Sequence, residues 1–231
     1  MLHLRSRVCS SSRALLVLAV VVCPGAFASA QGSGELVVAT RLADSGEVSG
    51  YYRLGRAYEL GREVDKDLFE AARQYQVAAE QGHVEAQFSL ALLLAGAVPN
   101  SPRSPQKSFE WFSAAAQQGH TRAAYFLALS YESGTGVEAN SEQAFEWYRR
   151  SAKDGNGEAM NALARMYAAG AGIRLNLANA YAWNEVAGVR GYVLAPRYRA
   201  QLEAKMNEEE LVRGKKLVRR LMKKYGRPPG G

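Results

Sequence analysis

From Gly46 to Tyr192 the spacing of apolar and small residues repeats itself. Leu54, Leu90, Leu127 and Leu163 lie 36, 37 and 36 residues apart, and Gly46, Gly82, Gly119, Gly155 and Gly191 lie 36, 37, 36 and 36 apart. Trp111, Trp147 and Trp183 keep a spacing of 36, each one place before Phe112, Tyr148 or Asn184. A fixed period of this length marks an array of stacked units, none of which can bury its own apolar face alone. In the unit from Thr121 to Asn156, Ala123, Leu127, Ala128 and Tyr131 share one side of a helix. Gly134-Thr135-Gly136 then breaks it, because glycine reaches the positive φ that a helix end uses, and Val137 is placed to plug the turn. A second helix is predicted from about Ser141 to Lys153, with Ala144, Trp147, Tyr148, Ser151 and Ala152 facing inward, ending at Gly155. The unit is helix, glycine turn, helix.

The pattern A-x-x-x-L-G/A-x-x-Y-x-x-G-x-G-V, followed by A-x-x-W-Y-x-x-(A/S)-A-x-x-G, resembles the Sel-one-like repeat, a relative of the tetratricopeptide repeat. The resemblance covers roughly residues 46 to 192. It implies an all-α fold, a right-handed α/α solenoid of about four repeats, with atypical helices capping both ends. Three copies depart from the pattern. The first has Gly61-Arg62-Glu63-Val64, without the second turn glycine. The second replaces the turn by the proline-rich stretch 97 to 105, which cannot be helical and is expected to bulge from one edge. The fourth has Ile173 for the valine and Asn184 for the tyrosine.

Both ends of the chain differ from the array. Residues 1 to 30 contain no acid, carry Arg5, Arg7 and Arg13 ahead of the apolar run Ala14 to Val22, and end in Ala28-Ser29-Ala30, which reads as a secretion signal cut after Ala30. The run is too short to span a membrane, so no transmembrane anchor is expected. Lipidation at Cys23 is disfavoured by Val22, where a small residue is needed. The acid-free start also fits a mitochondrial presequence, although the continuous apolar core favours export. The expected compartment is the periplasm, with secretion or a mitochondrion as alternatives. Residues 31 to 45 read as a linker and a degenerate second helix that caps the first repeat. In residues 193 to 231, Pro196 opens a helix, and Asn207 with Glu210 forms an N-capping pair for another.

Charge and candidate chemistry narrow the function. Removing the three signal arginines from 29 basic residues leaves 26 against 22 acidic ones, a mildly basic net charge of +4. Both cysteines, Cys9 and Cys23, fall in the proposed signal, leaving no disulfide and no thiol nucleophile. His83 and His120 follow the repeat glycines at equivalent places, where a turn role is expected. No metal-ligand spacing, phosphate loop or nucleophile motif is present, so neither metal nor cofactor is expected and the chain reads as no enzyme. A cell-wall or β-lactam hydrolase is a second alternative, since some cysteine-rich relatives are linked to β-lactams, but their paired cysteines are missing here.

What remains is a surface. The resemblance implies that the first helices line a concave side. On it, Tyr52, Phe88, Tyr125 and Asn161 form one row, and Arg56, Leu92, Leu129 and Arg165 a neighbouring one. Apolar groups with an arginine at each end suit a protein or peptide partner. In the first row an aromatic is common to the family and serves packing equally well. The second row varies between copies, so packing constrains it less. The alternative site is the C-terminal helix, where Arg213, Lys215, Lys216, Arg219, Arg220, Lys223 and Lys224 would meet an anionic polymer or lipid head groups. A solvated face is the plain reading of such a run, and nucleic acid is a poor match for an exported chain. The expected function is therefore a non-catalytic exported adaptor, in envelope assembly or signalling.

Overall fold

A computed structural model of the chain describes residues 34–96 and 98–226. The proposed signal, Gln31 to Ser33 and Arg227 lie outside the described residues. Among these residues there are eleven helices and no strand. Four first helices, α2 (Val48–Leu60), α4 (Val84–Leu94), α6 (Thr121–Ser133) and α8 (Gly157–Ala169), alternate with second helices α3 (Leu68–Glu80), α5 (Pro105–Gln117), α7 (Ser141–Lys153) and α9 (Leu177–Val189). Helix α1 (Glu35–Asp44) precedes them, and α10 (Ala195–Glu203) and α11 (Glu208–Tyr225) follow. Each first helix packs against the second helix on either side of it in sequence, as in an α/α solenoid.

Local chemistry sets these boundaries. Asp67, Asn140 and Asn176 cap the second helices by accepting from backbone N–H groups two or three residues on, at 2.9 Å. The proline-rich loop regains register at Ser104, whose N–H donates to Leu94 O at 2.9 Å, as Asn140 does to Tyr131 O and Asn176 to Tyr167 O. Its middle does not bulge freely. Ser101 is buried, and its hydroxyl can donate to Leu93 O at 2.8 Å or Val98 O at 2.7 Å.

Small residues let the helices approach closely. Ala71, Ala78, Ala86, Ala115, Ala123, Ala152, Ala159 and Ala187 are fully buried, and the larger Tyr75, Leu90, Leu127, Tyr148 and Leu163 fill the space between them. The glycine turns bring backbone onto backbone. Gly136 has φ +77°, and a Cβ there would run into the carbonyl of Pro105 at the start of α5; Gly172 lies in the same way against Ser141 of α7.

At the missing second glycine the chain makes a different arrangement. Glu63 takes φ +61°, a left-handed conformation that costs a non-glycine residue about 1 kcal/mol or more. Helix α1 has ten residues where α3 has thirteen, so it begins about one turn late, and Glu63 reaches into the space left. Its carboxylate accepts from Glu35 N at 3.1 Å and Leu36 N at 3.0 Å, capping a helix whose own N-cap residue, Gly34, has no side chain. Glu63→Ala is expected to weaken the docking of α1 by about 1 kcal/mol. Faster hydrogen exchange confined to α1 amides would show it; unchanged exchange there would remove the capping role.

The C-terminal helices do not form a fifth unit. Helix α11 packs on α9 rather than pairing with α10. Gly214 allows the approach by sitting against the Tyr181 ring and Ala178 O. Tyr225 stacks on Trp183 at 5.6 Å, while Leu211, Val218, Leu221 and Met222 cover the end of the core. The Asn207 and Glu210 pair forms a complete capping box at 2.8 and 3.0 Å.

Candidate functional site

The face built by α2, α4, α6 and α8 holds both expected rows, and the structure separates them. In the first row Phe88 and Asn161 are buried, so these two positions are packing and not contact surface. Tyr52 and Tyr125 are half-buried. Tyr52 stacks on His83 at 4.6 Å and Phe88 on His120 at 4.3 Å, and Arg122 lies over the Phe88 ring at 5.1 Å. Tyr125 tilts against Tyr148 at 5.7 Å. The row is a column of rings that ties successive units together.

In the second row Arg56 and Arg165 are exposed and Leu92 and Leu129 are half-buried. Arg165 is not wholly free: its guanidinium lies 3.5 Å from Glu132 Oε1. Arg56 borders a small cleft with Glu35, Leu36 and Glu63, and its charge also acts on the Tyr52 hydroxyl. At each end the arginine therefore has an internal neighbour, while the middle of the row is apolar.

Beside this row lies a motif that periodicity alone did not isolate. Tyr75 and Tyr148, both fully buried, donate their hydroxyls to Glu59 and Glu132 at 2.5 Å. At the equivalent places the second copy has Phe112 with Ala95, and the fourth has Asn184 with Ala168. Phenol and carboxylate are present together or absent together, because a buried hydroxyl needs an acceptor and a phenyl ring does not. In the fourth copy Asn184 turns instead to the capping helix, donating Nδ2–H to Ala195 O at 2.9 Å. The internal comparison of copies carried this signal all along. It required aligning two positions 16 residues apart. Burial, and then hydrogen bonding to the carboxylate, pushes both phenols well above the ordinary tyrosine range.

The histidines take the turn role expected of them. Nδ1 of His83 accepts from Ala86 N at 3.2 Å and Nδ1 of His120 from Ala123 N at 3.0 Å, the place that Asn156 fills in the next copy. Burial pushes the His120 imidazole below its usual range, with Glu85 opposing the shift and Arg122 adding to it. A protonated Nδ1 cannot accept, so the folded state favours the neutral ring. The sign follows: the capping contribution is complete above the unfolded value of 6.5 and is lost as pH falls below it. The unfolding free energy is expected to drop between pH 7 and 5 by about 1 kcal/mol, a typical cap value. His120→Asn should flatten the drop, and an undiminished drop in that variant would assign it to other groups.

On α11 the seven cations are all exposed. Arg213 pairs with Glu209, and Lys224 Nζ lies over the Tyr225 ring at 5.2 Å. Among the described residues no group of three or more His, Cys, Asp or Glu is arranged to hold a metal ion, and no helix is long and apolar enough to cross a membrane.

Comparison with known proteins agrees with this architecture. The sequence profile of the Sel1 repeat matches residues 48–83, 84–120, 121–156 and 157–185. A solved Sel1 repeat protein from Oxalobacter formigenes is 26% identical, with a TM-score of 0.66 over 79% of this chain and 75% of its own. A protective antigen present in uropathogenic Escherichia coli strains, displaying an SLR fold, is 24% identical with a TM-score of 0.54, over 83% of this chain. This chain spans 49% of that antigen, and the likeness is one of fold alone. No curated protein matches the chain.

Proposed function

The chain belongs to the Sel1 repeat family, and on that premise we propose that it is an exported scaffold holding a protein or peptide partner against the face of its first helices. Sel1 repeats are generally non-catalytic modules that bind proteins. The contact residues proposed are Arg56, Leu92, Leu129 and Arg165, joined by the half-buried Tyr52 and Tyr125. One observation supports this choice above others. In the neighbouring row Phe88 and Asn161 are buried and only Tyr52 and Tyr125 keep an accessible edge, whereas the second row remains accessible along its length and changes from arginine to leucine and back between copies. Residues that vary while the backbone repeats are free to serve recognition rather than packing.

The proposed setting is the cell envelope, on the basis of the acid-free, apolar first thirty residues. Fractionation of the native host and N-terminal sequencing test this; a mature protein starting at Gln31 outside the cytoplasm supports it, and an uncleaved cytoplasmic chain ends it. The groove is tested by crosslinked pull-down from the native envelope. The full chain is compared with a variant in which Arg56, Leu92, Leu129 and Arg165 are all alanine, with circular dichroism to establish folding. Loss of a specific protein in the folded variant supports the groove. Capture of the same protein by both assigns recognition to another surface.

A further inference from the structure

Residues 31–231 carry a net charge of +4, and α11, with seven cations between Arg213 and Lys224 against Glu208, Glu209 and Glu210, itself carries +4, so the rest of that stretch is neutral. The basic character of the protein is therefore concentrated on one helix. Packing does not call for it. The side of α11 that meets α9 and the core end is supplied by Leu211, Gly214, Val218, Leu221, Met222 and Tyr225. At 3.6 residues per turn, the cations cover about half the circumference on the opposite side. Among the described residues Lys215, Lys216, Arg219, Arg220 and Lys223 have no carboxylate within ion-pair distance. The helix dipole accounts only for the last turn, where Lys223 and Lys224 lie.

We infer that the outer face of α11 docks on an anionic phospholipid bilayer. Three features favour a lipid surface over a linear polyanion. The charges spread over a broad arc instead of tracking one row, so a strand would meet only some of them, whereas long Lys and Arg side chains can all reach one plane of head groups. The one aromatic beside them, Tyr225, is already stacked on Trp183, and no other stands among the cations to stack a base. The one apolar group in the arc, Val212, is 64% exposed at the first turns of the helix, where it can enter the head-group layer. Docking by this helix leaves the face of α2, α4, α6 and α8 to its own partner, so the two surfaces stand or fall separately.

The test is sedimentation of the full chain with vesicles containing phosphatidylglycerol and with neutral phosphatidylcholine vesicles. The apolar run Ala14 to Val22 would bind both kinds, and Arg5, Arg7 and Arg13 would add to the anionic preference, so the quantity read is the change in that preference between variants of the same full chain. Each cation at an anionic surface contributes about fivefold in partitioning, so the folded variant Lys216→Gln/Arg219→Gln/Lys223→Gln is expected to lose about a hundredfold of the anionic preference. Raising salt from 0.05 to 0.5 M should abolish it. A control losing as much charge elsewhere, Arg53→Gln/Arg62→Gln/Lys66→Gln, should retain it. Equal binding to both vesicle types, or equal loss in both variants, overturns the proposal. So does tighter binding to soluble polyphosphate than to vesicles with the same dependence on the three α11 cations, which would name a linear polyanion instead.

Discussion

Gly136→Ala is expected to destabilise the array by about 3 kcal/mol. Two costs combine. A residue with a side chain held at φ +77° pays about 1–2 kcal/mol in backbone strain. The new methyl also meets the carbonyl of Pro105 and the N–H of Gln106, backbone that can yield only by lifting the turn off the start of α5, at about 1–3 kcal/mol more. Gly119→Ala separates the terms. There φ is +90° but nothing lies within 4 Å of the added methyl, so strain acts alone and the loss should be about 1–2 kcal/mol. Urea denaturation measures both. Equal losses at the two positions would show that contact between units adds nothing at the glycine turn. The native Glu63, which occupies the place equivalent to Gly136, is accommodated only because α1 starts late and leaves room.

The second large effect is expected at the tyrosine and glutamate pairs. Glu132→Ala strands the buried hydroxyl of Tyr148 and also frees Arg165 from its carboxylate, a loss of about 2 kcal/mol. Tyr148→Phe should cost about 1 kcal/mol, since Glu132 is partly exposed and keeps Arg165. The double variant reproduces the Phe112 and Ala95 combination of the second copy, and should be about 1–2 kcal/mol more stable than the sum of single losses predicts. Strict additivity would mean that the hydrogen bond carries no net energy. The same pairs set a limit at high pH. A phenol raised above the unfolded value of 10 keeps its proton in the folded state while the unfolded chain releases it, so stability holds below pH 10 and falls above it. Each of Tyr75 and Tyr148 contributes up to about 1.4 kcal/mol per pH unit to that fall. The double variant Tyr75→Phe/Tyr148→Phe should therefore show a shallower decline above pH 10; an identical slope would assign it to other groups.

These pairs bear directly on the proposed contact face. Glu132 holds Tyr148 from one oxygen and Arg165 from the other, so the arginine offered to a partner is also oriented by the core of its own array. A partner carboxylate that takes Arg165 competes with a weak, half-exposed ion pair, which costs little. Leu92 and Leu129 contribute the apolar centre, and their half-burial fixes them in place before any partner arrives.

The period, the two helices of each unit and most of their ends are determined by the sequence itself. Glycines in the turns, Asn207 as a cap and the alternation of Ala with Leu act through neighbours within a few residues, so they are written locally, and most of the repeat signals recur from copy to copy. The sequence also located α11 and its cations. Variation between copies favours the second row, but what the sequence could not supply is how the first row closes, because Phe88 is buried by the His120 ring of the following unit. Nor could it foresee that α11 would pair with α9, since that depends on Gly214 meeting Tyr181 across 33 residues. The Tyr–Glu pairs, the Glu63 cap on α1 and the bond from Asn184 to Ala195 O belong to the same class. Each depends on distance through space, and a hydrogen bond or a stacked ring gains its energy only once packing has removed water from both groups.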